Sequence, residues 1–346
     1  MSAAPDRPRL GPPPPPARPT AQRWRPGLGI VVAAALLTAV AAGLCLPDLF
    51  GLDQRSPLVQ LVSARPLITA GVLVAAVLAG LVTLLYRPAW PVPAGLAAVA
   101  LVATAMVLPR AVSDPVPPTD GRVLTVVAFN TYEGNADLDE LVDLIVAERP
   151  DLVALPEAGQ SFRGRLAPLV EPLGYRLFTS TGKGHADVGG VTALVAAHFG
   201  QVGVRYGSEM TFPYAEITGG GLGSLRFTVF HAVAPIPGHV SRWATDLSRL
   251  PQWCAGPSPA VVAGDFNATL DHSVFRSHMA GCSDAAAQVG KGLVPTWGPT
   301  PRLRAVGPQI DHVLVTEGIR AEAFTAHEIS GSDHRAIVVR LRVPEL

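Results

Sequence analysis

The stretch Ala260-Val261-Val262-Ala263-Gly264-Asp265-Phe266-Asn267-Ala268-Thr269 decides how this chain is read. Four small or β-branched apolar residues predict a buried strand, and the glycine after them permits a sharp turn. Asp265 and Asn267 then stand at the carboxyl end of the strand, where α/β sheets gather ligand-handling groups. An acid and an amide two residues apart suit a phosphate or a metal. Taken alone, they suit equally well an Asx turn that caps only its own backbone.

Other strand ends in the second half carry comparable groups. Val123 to Phe129 reads as a strand ending at Asn130. Asp137 and Glu140 resemble a capping box, and Leu138, Leu141, Val142 and Ile145 recur at helical spacing up to Pro150. Asp151 to Leu155 reads as the next strand, with Glu157 just past it, so a strand-helix-strand unit presents Asn130 and Glu157 at one edge. Strands are also expected at Val191 to Ala197 and at Leu225 to Phe230, the latter delivering His231. Gly238 to Trp253 has helical apolar spacing and leads into the strand before Asp265. Further on come Pro295-Thr296-Trp297, Gln309-Ile310-Asp311-His312-Val313-Leu314-Val315, and Gly331-Ser332-Asp333-His334-Arg335 before a terminal strand from Ala336 to Val343. Trp297 reads as a core or rim residue or as a stacking surface. The Gly-rich run Gly182 to Gly190, with Lys183, His185 and Asp187, reads as a solvated hairpin loop or a lip over a site.

The front of the chain is of another kind. Met1 to Gly121 holds nine Arg, no Lys and five acids, whereas Arg122 onward holds 18 basic against 22 acidic residues, so formal neutrality averages two unlike halves. Residues 1–26, rich in Pro and Arg, cannot supply a core and are expected to form a disordered cytoplasmic tail. Leu28 to Leu46, Pro66 to Tyr86 and Pro88 to Pro109 run 19, 21 and 22 residues without a charge. Each is long enough to cross ~30 Å of hydrocarbon as a helix. Arg residues flank the first span and occupy the Arg87 turn, which places both inside and everything after Arg110 outside. Residues 110–121, with three prolines, read as a stiff linker. Of three cysteines, Cys45 lies in an apolar run, and Cys254 and Cys282 read either as one disulfide or as two buried thiols.

In order and context, Asn130, Glu157, His231, Asp265, Asn267, Asp311, Asp333 and His334 resemble the endonuclease/exonuclease/phosphatase superfamily. The matching pieces are Phe-Asn, Pro-Glu, strand-His-x-x-x-Pro, Gly-Asp-Phe-Asn, Pro-Thr-Trp, Ile-Asp-His-Val-Leu and Ser-Asp-His, spread over 123–343. The resemblance implies a DNase I-like, four-layer α/β sandwich over residues 122–346, preceded by three transmembrane helices within 27–109. It implies a metal-dependent phosphoesterase using Mg²⁺ or Mn²⁺, with Asn130, Glu157 and Asp333 at the metal. It implies that Asp265 orients and deprotonates water, that Asn267 contacts the phosphorus, and that His231 and His334, the latter oriented by Asp311, donate to phosphoryl oxygens. Two departures stand out: Pro156 replaces the Gln usual before the metal-binding Glu, and Val191 to Gln201 lacks the Ser-Arg common after the third strand.

A net acidic catalytic half makes polymeric nucleic acid a poor default partner. The chain resembles three-span, externally facing members from high-GC bacteria, some linked to teicoplanin-type resistance. That resemblance points to the lipid bilayer as a partner and to an isoprenoid or other lipid phosphate as substrate. An extracellular nuclease and a non-catalytic binding protein on the same scaffold remain the alternatives.

Overall fold

In the computed structural model, residues 11, 25–115, 120–182 and 186–344 are described. Most of the Pro- and Arg-rich front segment, together with Lys183 and His185, lies outside them. The strands in chain order are β1 (Arg122–Ala128), β2 (Leu152–Pro156), β3 (Tyr175–Thr181), β4 (Gly190–Ala196), β5 (Gly203–Gly207), β6 (Tyr214–Thr218), β7 (Arg226–His231), β8 (Ala260–Asp265), β9 (Cys282–Asp284), β10 (Asp311–Thr316), β11 (Arg320–Glu328) and β12 (Arg335–Val343). They form two six-stranded sheets, ordered β11-β12-β1-β2-β4-β3 and β5-β6-β7-β8-β10-β9. Each sheet has one parallel pair at its centre, β1 with β2 and β7 with β8, and is otherwise antiparallel.

Alternation along the central strands assigns the faces. Val261 and Ala263 of β8, Phe227 and Val229 of β7, and Val313 and Val315 of β10 fill the space between the sheets. Val262, Phe230 and Leu314 point the other way, onto Trp243, Leu247 and Trp253. By the same parity His231, Asp265 and Asp311 face the inter-sheet side, while His312 faces outward and meets Asp284 at 2.8 Å. The helices α5 (Leu138–Glu148) and α6 (Gln160–Val170) belong to the first sheet and α7 (Val240–Leu247) covers the second, giving the expected four layers. The α5 cap forms, Asp137 Oδ1 accepting from Glu140 N–H at 3.0 Å. The Glu140 carboxylate, however, turns to Ser330 instead of closing a full box.

Three apolar helices precede this domain: α1 (Leu28–Cys45), α3 (Arg65–Leu85) and α4 (Pro91–Val107). All three stretches are long and apolar enough to span a membrane, and only 17%, 11% and 28% of their most apolar windows are buried. Most of their side chains therefore face whatever surrounds the bundle. Gly95 lets α4 approach α1, since a Cβ there would sit 1.9 Å from Thr38 Oγ1.

The loop between α1 and α3 and the segment after α4 are docked on the α/β domain. The short helix α2 (Leu58–Val62) buries Val59 in the cluster around Trp243, and its Val59 carbonyl lies 2.9 Å from His272 Nε2. Ser113 bridges to Val289, and Asp114 N–H donates to the Gln288 carbonyl at 2.9 Å. The start of the expected linker is therefore pinned; residues 116–119 lie outside the described set. A buried charge chain completes the joint. Asp48 takes Arg276 at 2.7 Å and also Arg65, Arg65 reaches Asp271 at 2.9 Å, and Asp271 takes Arg110 at 3.0 Å. Cys254 and Cys282 form a disulfide.

Candidate functional site

The register of the second sheet builds the back of the site. His231 on β7 and Asp311 on β10 are both paired with Asp265 on β8, so three polar side chains stand in one row on the inter-sheet face. Gly264 makes the approach possible. Its φ is +144°, and a Cβ there would lie 2.0 Å from the Phe230 carbonyl. From the first sheet, Asn130 follows β1 and Glu157 follows β2 at the same edge. Asp333 and His334 arrive immediately before β12.

All eight residues singled out in the sequence meet here. Asn130 Nδ2 bridges two carboxylates, donating to Glu157 Oε1 and Asp265 Oδ2 at 3.0 Å each. Asp265 also accepts from Asn267 N–H at 2.8 Å and from Asn267 Nδ2 at 3.1 Å. His334 Nδ1 lies 2.8 Å from Asp311 Oδ2. The Nε2 atoms of His231 and His334 stand 3.9 and 3.8 Å from Asp265 Oδ2. They also stand 3.8 Å from Glu157 Oε1 and from Asp333 Oδ1, respectively. Glu157 and Asn267 hold left-handed backbone at φ 58° and 47°, as do Tyr132 and Glu133 nearby at 50° and 54°. Non-glycine residues accept that conformation where surrounding contacts enforce it; here Glu133 N–H donates to Glu157 Oε2 at 2.7 Å.

Several supporting residues were not assigned from the sequence. Trp297 Nε1 donates to Asp333 Oδ2 at 2.8 Å, so this ring holds a carboxylate of the site. The Thr296 hydroxyl accepts from the N–H groups of Ile310 and Asp311, setting the start of β10. Ser332 Oγ donates to the Asn130 carbonyl at 2.8 Å and ties the last loop to β1. Phe212 stacks on His231 with ring centroids 4.3 Å apart. Pro-Thr-Trp and Ser-Asp-His were visible as motifs, but the contacts of Thr296, Trp297 and Ser332 were not. Pro156 ends β2, and its carbonyl accepts from Thr131 N–H at 3.0 Å. Asp187 Oδ1 accepts from Phe162 N–H at 3.1 Å, making it a structural contact of α6.

Electrostatics divide the groups. Burial pushes the Glu157 carboxyl above the usual carboxylate range, against the donors Asn130 and Glu133, and Asp333 adds to the rise. Burial likewise pushes Asp265 up, against the charge of His334 and with that of Asp311. Burial alone would lower His334, but the carboxylates of Asp311, Asp265 and Asp333 outweigh it and hold the imidazole above its ordinary value. Burial, reinforced by the charge on His334, drives His231 down to about 3. Two histidines side by side are thus one cationic and one neutral donor.

Two sets of side chains suit a divalent cation. Asp265, Asp311 and His334 form a buried group whose ligand atoms lie within 4.8 Å of one another. Asp311 Oδ2 is already committed to His334, and Asp265 already accepts from two amides. The front pair is the more open: the side chains of Glu157 and Asp333 are 15% and 22% exposed, against 1% for Asp265, while each set holds one buried oxygen with no hydrogen-bond partner, Asp333 Oδ1 in front and Asp311 Oδ1 behind. A hard cation suits an orphaned carboxylate oxygen beside a second, raised carboxyl.

The model of the Endonuclease/Exonuclease/phosphatase family matches residues 127–334. Among solved structures, the chain is similar to a humanized D. rerio TDP2 with 14 mutations, at 14% identity over 64% of this chain and 99% of that one, TM-score 0.50. It is similar to an endonuclease/exonuclease/phosphatase family protein from Bacteroides thetaiotaomicron, at 13% identity over 65% and 100%, TM-score 0.50. The mannosyl-6-phosphatase Bt3783 of Bacteroides thetaiotaomicron is 14% identical over 63% and 99%, TM-score 0.47. No curated protein matches the chain. At these identities the two likenesses with TM-score 0.50 establish the DNase I-like fold alone.

Proposed function

The chain belongs to the endonuclease/exonuclease/phosphatase family, and on that premise we propose that it is a membrane-anchored, metal-dependent phosphoesterase working on a lipid phosphate at the outer face of a membrane. One observation carries the hydrolytic reading: Asp265 sits at a hub where the Nε2 atoms of two histidines, the Asn130 amide and the Asn267 amide all reach its carboxylate. A carboxyl raised by burial is a competent proton acceptor, so Asp265 orients the attacking water and takes its proton. Asn267 holds Asp265 and faces the phosphorus. His334, kept cationic by Asp311, and neutral His231 donate to the phosphoryl oxygens as charge builds. Glu157 and Asp333 would hold Mg²⁺ or Mn²⁺, with Asn130 able to add its Oδ1 through a second lone pair. The ion, when bound, supplies Lewis-acid polarisation of the phosphoryl group.

Support for the anchored, external placement comes from three spans of sufficient length, from Arg87 in the turn opposite the docked loop, and from the Cys254–Cys282 bond, which suits an oxidising compartment. The net acidic catalytic half favours a lipid phosphate over DNA. The test is phosphate release by the purified full chain from lipid phosphates, nucleotides and DNA, with and without EDTA. Lipid phosphate turnover that stops in EDTA and returns with Mg²⁺ is expected. Plasmid nicking without lipid turnover would replace the substrate assignment. Failure to hydrolyse even bis(p-nitrophenyl) phosphate would remove the enzyme.

A further inference from the structure

Two cavities with shared wall residues lie between the site and the helix bundle. The inner cavity, about 320 Å³, begins at Asn267 and Trp297, passes Ile236 and Ile310, and is closed on the far side by Ser63 and Ala64. Those two residues directly precede α3. A second cavity of about 370 Å³ shares Ser63, Ala64 and Pro308 with the first and continues to Leu67 on α3 itself. Leu67 is 54% exposed, on a helix apolar enough to span a membrane. Together the two linings extend from the exposed Leu67 to Asn267, the side chain that grips Asp265. Trp297 serves both ends, with its Nε1 on Asp333 and its ring on the cavity wall.

We propose that these two cavities form one channel that receives the hydrocarbon tail of the substrate, which makes the ligand a single-chain lipid phosphate or pyrophosphate drawn sideways from the bilayer. The inference rests on the hydrolytic reading of the site above. Three features select this occupant. The inner cavity is lined mainly by Ala, Pro, Ile and Trp and lacks the row of donors and acceptors that a peptide backbone needs. The cation along the path, Arg110, is already paired with Asp271, so no basic track leads a nucleic-acid backbone inward. The joint that forms the outer wall is fixed to the catalytic domain, Gln60 donating to the Pro235 carbonyl and His272 meeting the Val59 carbonyl, so the cavity persists without a ligand.

The test compares farnesyl pyrophosphate with dimethylallyl pyrophosphate, which share a head group and differ in tail length, on the full chain in detergent. Wild type is expected to favour farnesyl in kcat/KM by about 100-fold or more, since burial of only about three or four of the extra carbons, at roughly fourfold each, contributes that much. Ile236→Asp and Ala64→Phe are expected to raise KM for farnesyl pyrophosphate by about 10-fold or more and to collapse the preference. Val146→Asp, on the exposed face of α5, is expected to leave the preference as it was. Equal kcat/KM for the two probes, a preference untouched by both channel variants, or faster turnover of two-chain phosphatidate in vesicles would overturn the tail channel while leaving hydrolysis in place. A diazirine-tailed farnesyl pyrophosphate in EDTA separates the two readings. Labelling within 60–67 or 234–236 is expected even without turnover; labelling elsewhere overturns the channel, and labelling there with no phosphate release from any probe overturns the hydrolase.

Discussion

Asp265→Asn is expected to lower kcat by about 10²- to 10⁴-fold, the range of a lost general base, with the Mg²⁺ concentration for half-maximal rate little changed. The reason lies in where the hub sits. Asp265 is 1% exposed and accepts from Asn130 and Asn267 on one side while the two histidines face it on the other. Removing its charge leaves Glu157 and Asp333 in place to hold an ion but takes away the acceptor for the water's proton. Glu157→Gln should behave in the opposite sense, with a raised Mg²⁺ requirement and partial recovery at high Mg²⁺. Initial-rate titrations of both variants decide the matter. An Asp265→Asn protein retaining a tenth of wild-type rate, or one rescued by Mg²⁺, would move Asp265 out of the base role.

Asp271→Ala is expected to destabilise the chain by roughly 3–5 kcal/mol, the usual cost of stranding a buried charge. The effect should be large because two guanidinium groups depend on this carboxylate. Arg65 is fully buried and Arg110 nearly so, and each bonds it directly. With Asp271 gone, Asp48 alone is shared between Arg65 and Arg276. The triple replacement Arg65→Met/Arg110→Met/Asp271→Leu is expected to recover much of the loss, because the penalty arises from uncompensated charge more than from the missing attraction. Thermal unfolding of the three proteins in the same detergent measures this. A single variant as stable as wild type would mean that water already reaches the joint.

The fold and the site were legible because β8 carries both signals in one stretch. Its unbroken apolar run and terminal Gly264-Asp265 mark a central strand ending at a ligand edge. The same holds for the ends of β1, β2 and β7, whose apolar runs stop at Asn130, Glu157 and His231. The joint was not legible. Asp48, Arg65, Arg110 and Asp271 are separated by up to 223 positions in the sequence, and each reads locally as a solvent or flank charge. Helix α2, at 5 residues, is too short for a periodic signal and is held by Val59 packing against the Trp243 cluster. Trp297 showed in its motif, but its bond to Asp333 spans two loops, and no local pattern encodes such a contact.

The most direct measurement is the position of Mn²⁺ in a crystal of the full chain, read from its anomalous scattering. One ion against the carboxylates of Glu157 and Asp333 is the expected result, facing Asp265 and the two histidines across the phosphoryl position. An ion seated among Asp265, Asp311 and His334, or no ion at either place in millimolar Mn²⁺, would contradict the shared metal and phosphoryl site.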